Sequence, residues 1–245
     1  MRRIKCTVQY DGTDFAGFQY QPDQPTVQGE LETALRKVVG GFQRFGAASR
    51  TDAGVHALGQ AIAFSTDNPI PLKNLIEAVN DHLPPAIDLL EAEEVAAAFD
   101  PRRAATSKLY SYRILNRQEG SPFIARVAWH LPDPWLNLTA MREAAAVLKG
   151  QHDFAAFRSA GSRVVNTVRE ITRLDIRREE DVLEFYVQAN GFLYHMVRNI
   201  VGALVEVGME RRTPEEIESI LESGDRSRLG PPAPPQGLCL VRVFY

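Results

Sequence analysis

Apolar and polar residues alternate between Ile4 and Tyr10, a period of two that predicts a strand over residues 4–10. After a Gly/Asp-rich loop, Thr26 is placed to cap a helix carrying Val27, Leu31, Leu35 and Val38 on one face, which Gly40 and Gly41 stop. Residues 42–48 and 58–65 read as strands bracketing the loop 49–57, residues 72–82 as a helix closed by Pro84 and Pro85, and residues 89–95 as a strand. The order is β-α-β-β-α-β. It recurs in strand 104–115, an insertion containing Trp129 and Trp135, helix 138–149, strands 167–177 and 182–189, helix 192–207 and strand 237–244. An extra helix, 214–222, precedes the last strand, and the proline-rich residues 231–235 read as a stiff linker. Two such units predict an α+β chain of two tandem ferredoxin-like halves, 1–103 and 104–245. Their antiparallel sheets are expected to lie side by side, each covered by helices on one face, with the uncovered faces and long loops forming a central cleft.

Composition changes this picture little. With 245 residues, 44% hydrophobic and 24% charged, the chain suits an ordinary globular protein, not a disordered or fibrous one. The N-terminus runs from two arginines straight into the strand pattern, and no stretch approaches the roughly 20 apolar residues of a membrane span. The expectation is a cytoplasmic protein with no membrane contact. Cys6 and Cys239 suit a reducing compartment and read as small core residues, and the five histidines form no metal-ligand spacing, so no metal is expected.

Charge changes it more. The net charge is −3, yet residues 101–178 hold 14 Lys and Arg, twelve of them Arg, against 6 acidic residues, a local +8 beside −11 elsewhere. Arginine-rich segments favour phosphate, because the planar guanidinium forks onto phosphate oxygens and binding releases counterions. A solvated charged face gives the same composition.

Candidate chemistry centres on SRTDAGVHA, residues 49–57, where Asp52 lies between Arg50 and a glycine in a loop joining two strands. Asp-x-Gly is a common turn signature and reads first as structural, although Arg50 and His56 in the same short loop suit a carboxylate kept ionised and aimed at a ligand. In the helix over 192–207, Leu193, Met196, Val197, Ile200, Val201 and Leu204 form a core stripe, and His195, Arg198 and Gly202 a second one of the kind that usually faces solvent. Tyr110 and Tyr112, two apart in a strand, share a face, as core aromatics do.

The segment RTDAGVHA closely resembles the signature loop of the tRNA pseudouridine synthase A (TruA-type) family. The resemblance extends in order through YDGTDFAGFQYQPDQPTVQGEL (10–31), SKLYSYRI (107–114), GQHDFAAF (150–157), GFLYHMVRNIVGAL (191–204) and APPQGLCL (233–240), nearly the whole chain. Phe18 stands where a tryptophan is usual and Lys108 where arginine is common, so each departure keeps aromatic or cationic character.

The resemblance implies an isomerase that needs no cofactor and converts uridines 38, 39 and 40 of the tRNA anticodon stem-loop to pseudouridine. It makes Asp52 the catalytic aspartate, pairs Arg198 with it, and places Tyr110 in the pocket, where its ring stacks on the target uracil and its hydroxyl helps remove the C5 proton. Arg50 is positioned to hold a flipped nucleotide, and Arg102, Arg103, Arg158, Arg163 and Arg169 are candidates for contacts with the RNA backbone in the cleft. The family works as a homodimer, which makes a second copy an expected partner. Asp52 could attack C1′ or take the C2′ proton, and the sequence does not choose. Two competing readings are an RNA-binding module in which Asp52 is a turn residue, and a nucleoside glycosidase that releases free uracil.

Overall fold

The computed structural model describes residues 1–161 and 164–245. Their contacts divide them into two compact units, Met1–Thr106 with Cys239–Tyr245, and Ser107–Leu238.

In the first unit, strand β1 (Arg2–Tyr10) buries Ile4, Cys6, Val8 and Tyr10, the four positions its alternation selects. Helix α1 (Val27–Val39) begins where Thr26 accepts a hydrogen bond from the Gly29 amide and buries Val27, Leu31, Ala34, Leu35 and Val39. Val38, expected on that face, is only half-buried, because Val39 is the residue one full turn beyond Leu35. Strands β2 (Gln43–Ala47) and β3 (His56–Thr66), helix α2 (Leu72–Asn80) and strand β4 (Ile87–Val95) follow in the anticipated order. β1 is antiparallel to both β3 and β4, with Ile4 opposite Phe64 and Glu94, while β2 pairs antiparallel with β3.

The last strand, Leu238–Phe244, was expected in the second half, but its residues from Cys239 onward pack with the first unit. It runs parallel to β3, Cys239 opposite His56 and Leu240 opposite Ala57. Parallel pairing joins strands at any sequence distance, so adjacency along the chain does not report it.

The second unit contains β5 (Ser107–Leu115), the short β6 (Trp129–His130), α3 (Leu138–Val147), β7 (Gly150–Asp153), β8 (Val168–Glu179), β9 (Val182–Ala189), α4 (Met196–Gly208) and α5 (Pro214–Ser223). β9 lies antiparallel between β5 and β8, β7 adds antiparallel to β8, and β6 pairs parallel with β5. β6 and β7 were not foreseen: two residues show no period, and Gly150–Asp153 is polar and mostly exposed, made a strand only by its ladder with β8. α5 carries a full capping box between Thr213 and Glu216 and stops at Gly224.

The helix expected from residue 192 starts four residues later. His195 adopts a left-handed backbone, φ 58°, and Met196 N donates to Leu193 O at 3.1 Å, so residues 193–196 form a turn and not a first helical turn. The chain is thus a mixed α/β protein, with five α-helices among the described residues. No helix among those residues is long and apolar enough to cross a membrane.

Candidate active site

The loop between β2 and β3 is held mainly through its main chain. Ala48 donates to Ala61 O at 2.8 Å, closing the β2 side. Gln60, fully buried on β3, accepts from Ser49 N at 3.1 Å and donates to Ser49 O at 2.8 Å, as a neighbouring strand would. Thr51 O accepts from Phe18 N at 3.0 Å, and the buried Thr51 and Tyr10 hydroxyls share a hydrogen bond of 2.8 Å. Val55 N then donates to Asp52 O at 3.2 Å, making residues 52–55 a turn with Asp52 at its first position.

Two glycines of the facing segment permit this closeness. A Cβ on Gly12 would overlap the Val55 carbonyl, with the carbonyl carbon at 2.6 Å. Gly17 has φ 105°, and a Cβ there would lie 3.0 Å from Thr51 O and 3.2 Å from Ala53 N. The Gly12 amide donates to His56 Nδ1 at 3.1 Å. Asp11 Oδ1, 3.2 Å from the same nitrogen, takes its hydrogen bonds from the Thr13 amide and hydroxyl. The histidine therefore serves to hold the loop.

Asp52 is half-buried and Arg50 exposed. Phe18 is 1% exposed and packs against Tyr10 with ring centroids 6.1 Å apart, so the residue that replaces the usual tryptophan is part of the loop's floor.

The second unit positions Tyr110 and Arg198. Tyr110, on β5 opposite Val187, is buried with its ring edge-on to Phe192 at 5.0 Å. Tyr112 is fully buried, and burial holds its hydroxyl far above the ordinary tyrosine pKa, so it stays protonated and donates to Pro234 O at 2.7 Å. Arg198, in the first turn of α4, donates from Nε to Ala233 O at 2.7 Å, while Ala233 N donates to Arg198 O at 3.0 Å. The proline-rich segment 231–235 thus acts as a brace for Arg198 and Tyr112, a role its composition alone did not suggest.

The proposed backbone-contacting arginines differ among themselves. Arg102 and Arg103 are exposed, and their amides donate to Asp100 Oδ1 at 2.9 Å, holding that carboxyl below the usual range. Arg158 donates to Val164 O at 2.5 Å and Arg169 to Val168 O at 2.6 Å, so both bind their own chain. Arg163 lies outside the described residues. The basic segment is also less isolated in space than in sequence: Arg113 pairs with Glu184 at 2.8 Å and Arg117 with Asp181 at 3.4 Å, acids from beyond its end. Among the described residues no three His, Cys, Asp or Glu side chains cluster as metal ligands would.

A family model described as tRNA pseudouridine synthase matches residues 7–102 and 144–245, two segments that contain Asp52 and Arg198. The chain belongs to the tRNA pseudouridine synthase family. Relatives named tRNA pseudouridine synthase A align along essentially its whole length. The Myxococcus xanthus protein is 44% identical over all of this chain and 92% of its own length. The Moorella thermoacetica protein is 47% identical over 99% of both chains, and that of Brevibacillus brevis 46% over the full length of both. Tyr110, between the two segments of the family model, lies within these full-length alignments.

Proposed function

We propose that the protein isomerises uridines 38, 39 and 40 of tRNA to pseudouridine in the anticodon stem-loop, with Asp52 as its catalytic carboxylate. The observation that carries this reading is the family's signature loop, RTDAGVHA, held by its main chain so that Asp52 opens a turn.

The isomerisation breaks the N1–C1′ bond, turns the uracil, joins C5 to C1′ and removes the C5 proton. It is redox-neutral and transfers no external group, so the chemistry calls for no cofactor. Asp52 opens the reaction either by attack at C1′ or by taking the C2′ proton, and deuterium at C2′ slows the second route only. Arg198 pairs with Asp52 and keeps it ionised and oriented. Tyr110 stacks on the uracil and helps remove the C5 proton. Arg50 holds the nucleotide flipped from the stack, and Arg102, Arg103, Arg158, Arg163 and Arg169 meet the phosphate backbone.

The two halves are read as ferredoxin-like units, a reading supported by the β-α-β-β-α-β order and antiparallel pairing of the first unit. The enzyme is cytoplasmic and works as a homodimer, as the family resemblance implies.

The test is tritium release from unmodified tRNA labelled at uridine C5, comparing the wild type with Asp52→Asn. Release by the wild type alone is expected. Tight binding of tRNA without release would favour the RNA-binding module, and free uracil with an abasic site the glycosidase.

A further inference from the structure

We propose that the exposed ring of Tyr194, stacked on His195 ahead of α4, is a platform on which an unstacked base of the substrate RNA lies. The inference rests on RNA being the substrate and extends that reading to a residue outside the proposed chemistry.

Consecutive side chains point about 100° apart around a helix and to opposite faces of a strand, so neighbours in regular structure do not stack. Tyr194 and His195 do, with ring centroids 3.8 Å apart and planes 30° from parallel. The left-handed backbone at His195, φ 58°, brings them together, a conformation uncommon for a residue with a Cβ. Several bonds impose it. His195 Nδ1 lies 3.1 Å from Ser159 Oγ, Ser159 N donates to Tyr194 O at 3.1 Å, and Asn199 N donates to His195 O at 2.9 Å. The buried Asn199 side chain fixes the partner segment in turn, donating to Phe157 O at 2.8 Å and Ser159 Oγ at 3.2 Å.

This bonded turn presents an aromatic ring that is 44% exposed, so much of the ring face that burial would use is open to a ligand. Its position suits the substrate. Phe192, just ahead of this turn, packs its ring on Tyr110 at 5.0 Å, so the platform lies two residues from the wall of the proposed uracil site. Stacking takes any base, as an enzyme acting at neighbouring sites in differing sequences requires.

The experiment measures Kd for unmodified transcribed tRNA across a range of salt, with KM for tritium release, in the wild type, Tyr194→Ala, Tyr194→Leu and Tyr194→Phe. Tyr194→Ala and Tyr194→Leu are expected to raise Kd and KM together by about tenfold, and Tyr194→Phe to bind as the wild type does. The slope of log K against log salt stays unchanged in all three, because a stacked base releases no counterion. Wild-type affinity in both Tyr194→Ala and Tyr194→Leu overturns the platform, as does a loss in Tyr194→Phe equal to that in Tyr194→Ala, or a slope reduced by about one. Tyr194→Leu retains the bulk of the side chain, and unchanged thermal melts separate lost binding from lost folding. Wild-type binding without tritium release defeats the proposed function and leaves the platform to the Kd comparison, whereas no wild-type binding defeats both.

Discussion

Two irregular segments carry the side chains at issue, the loop around Asp52 and the turn ahead of Arg198, and they are held by different groups. In the first, Ser49, Thr51 and Val55 are held through main-chain atoms, with the Gln60 amide standing in for one more strand. In the second, side chains join the main-chain bonds: Asn199 and Ser159 help fix the turn, and Arg198 itself ties α4 to Ala233. Arg198 both serves the proposed chemistry and ties α4 to Ala233, so changes at Arg198 mix chemistry with structure.

The largest effect should follow from attacking the main-chain contact. Gly12→Ala forces a Cβ into the Val55 carbonyl and is expected to cost about 3 kcal/mol of stability, with a marked loss of tritium release, read from denaturant melts and activity together. Full activity in that variant would show that the loop yields easily and would erase the contrast. Gln60→Ala strips both Ser49 groups of their partners beside a buried site, for about 2 kcal/mol.

Alkaline pH probes the first unit without mutation. Burial pushes the Cys6 thiol up to about 12 from an ordinary value of 9.0. The fold therefore keeps a proton that the unfolded chain releases. This contribution is intact below pH 9 and is lost as pH rises toward about 12, the loss by pH 10 being on the order of 1 kcal/mol. Melts at pH 8 and pH 10 should show that drop, and Cys6→Ala should shrink it, leaving the smaller part that the Tyr112 and Tyr245 hydroxyls contribute. The smallest effect is in the second unit: Tyr112→Phe removes the bond to Pro234 O and costs about 1 kcal/mol, with a lowered kcat if the 231–235 brace positions Arg198.

Most elements were legible because their signals are local. Thr26 caps the helix its position suggests, and Val182–Ala189 alternates within its expected limits. Asp52, Arg50, Tyr110 and Arg198 were legible as candidates through motif resemblance and strand or helix period. The anchoring residues were not. Gly12, Gly17 and Gln60 carry no chemistry of their own, and only the chain that packs against them gives them a task.

By itself, then, the amino-acid sequence determined the period of most elements, the Thr26 cap and the family, because all of these are written in residues near one another or in ordered blocks. Tertiary structure alone decided that Cys239 faces His56, that Gly150–Asp153 becomes a strand, that α4 begins at Met196, and that Ala233 holds Arg198. Each depends on a hydrogen-bonding partner supplied by a distant segment, or on a backbone conformation that such a partner sustains. A backbone group or side chain does not encode where its partner lies until the two are packed together.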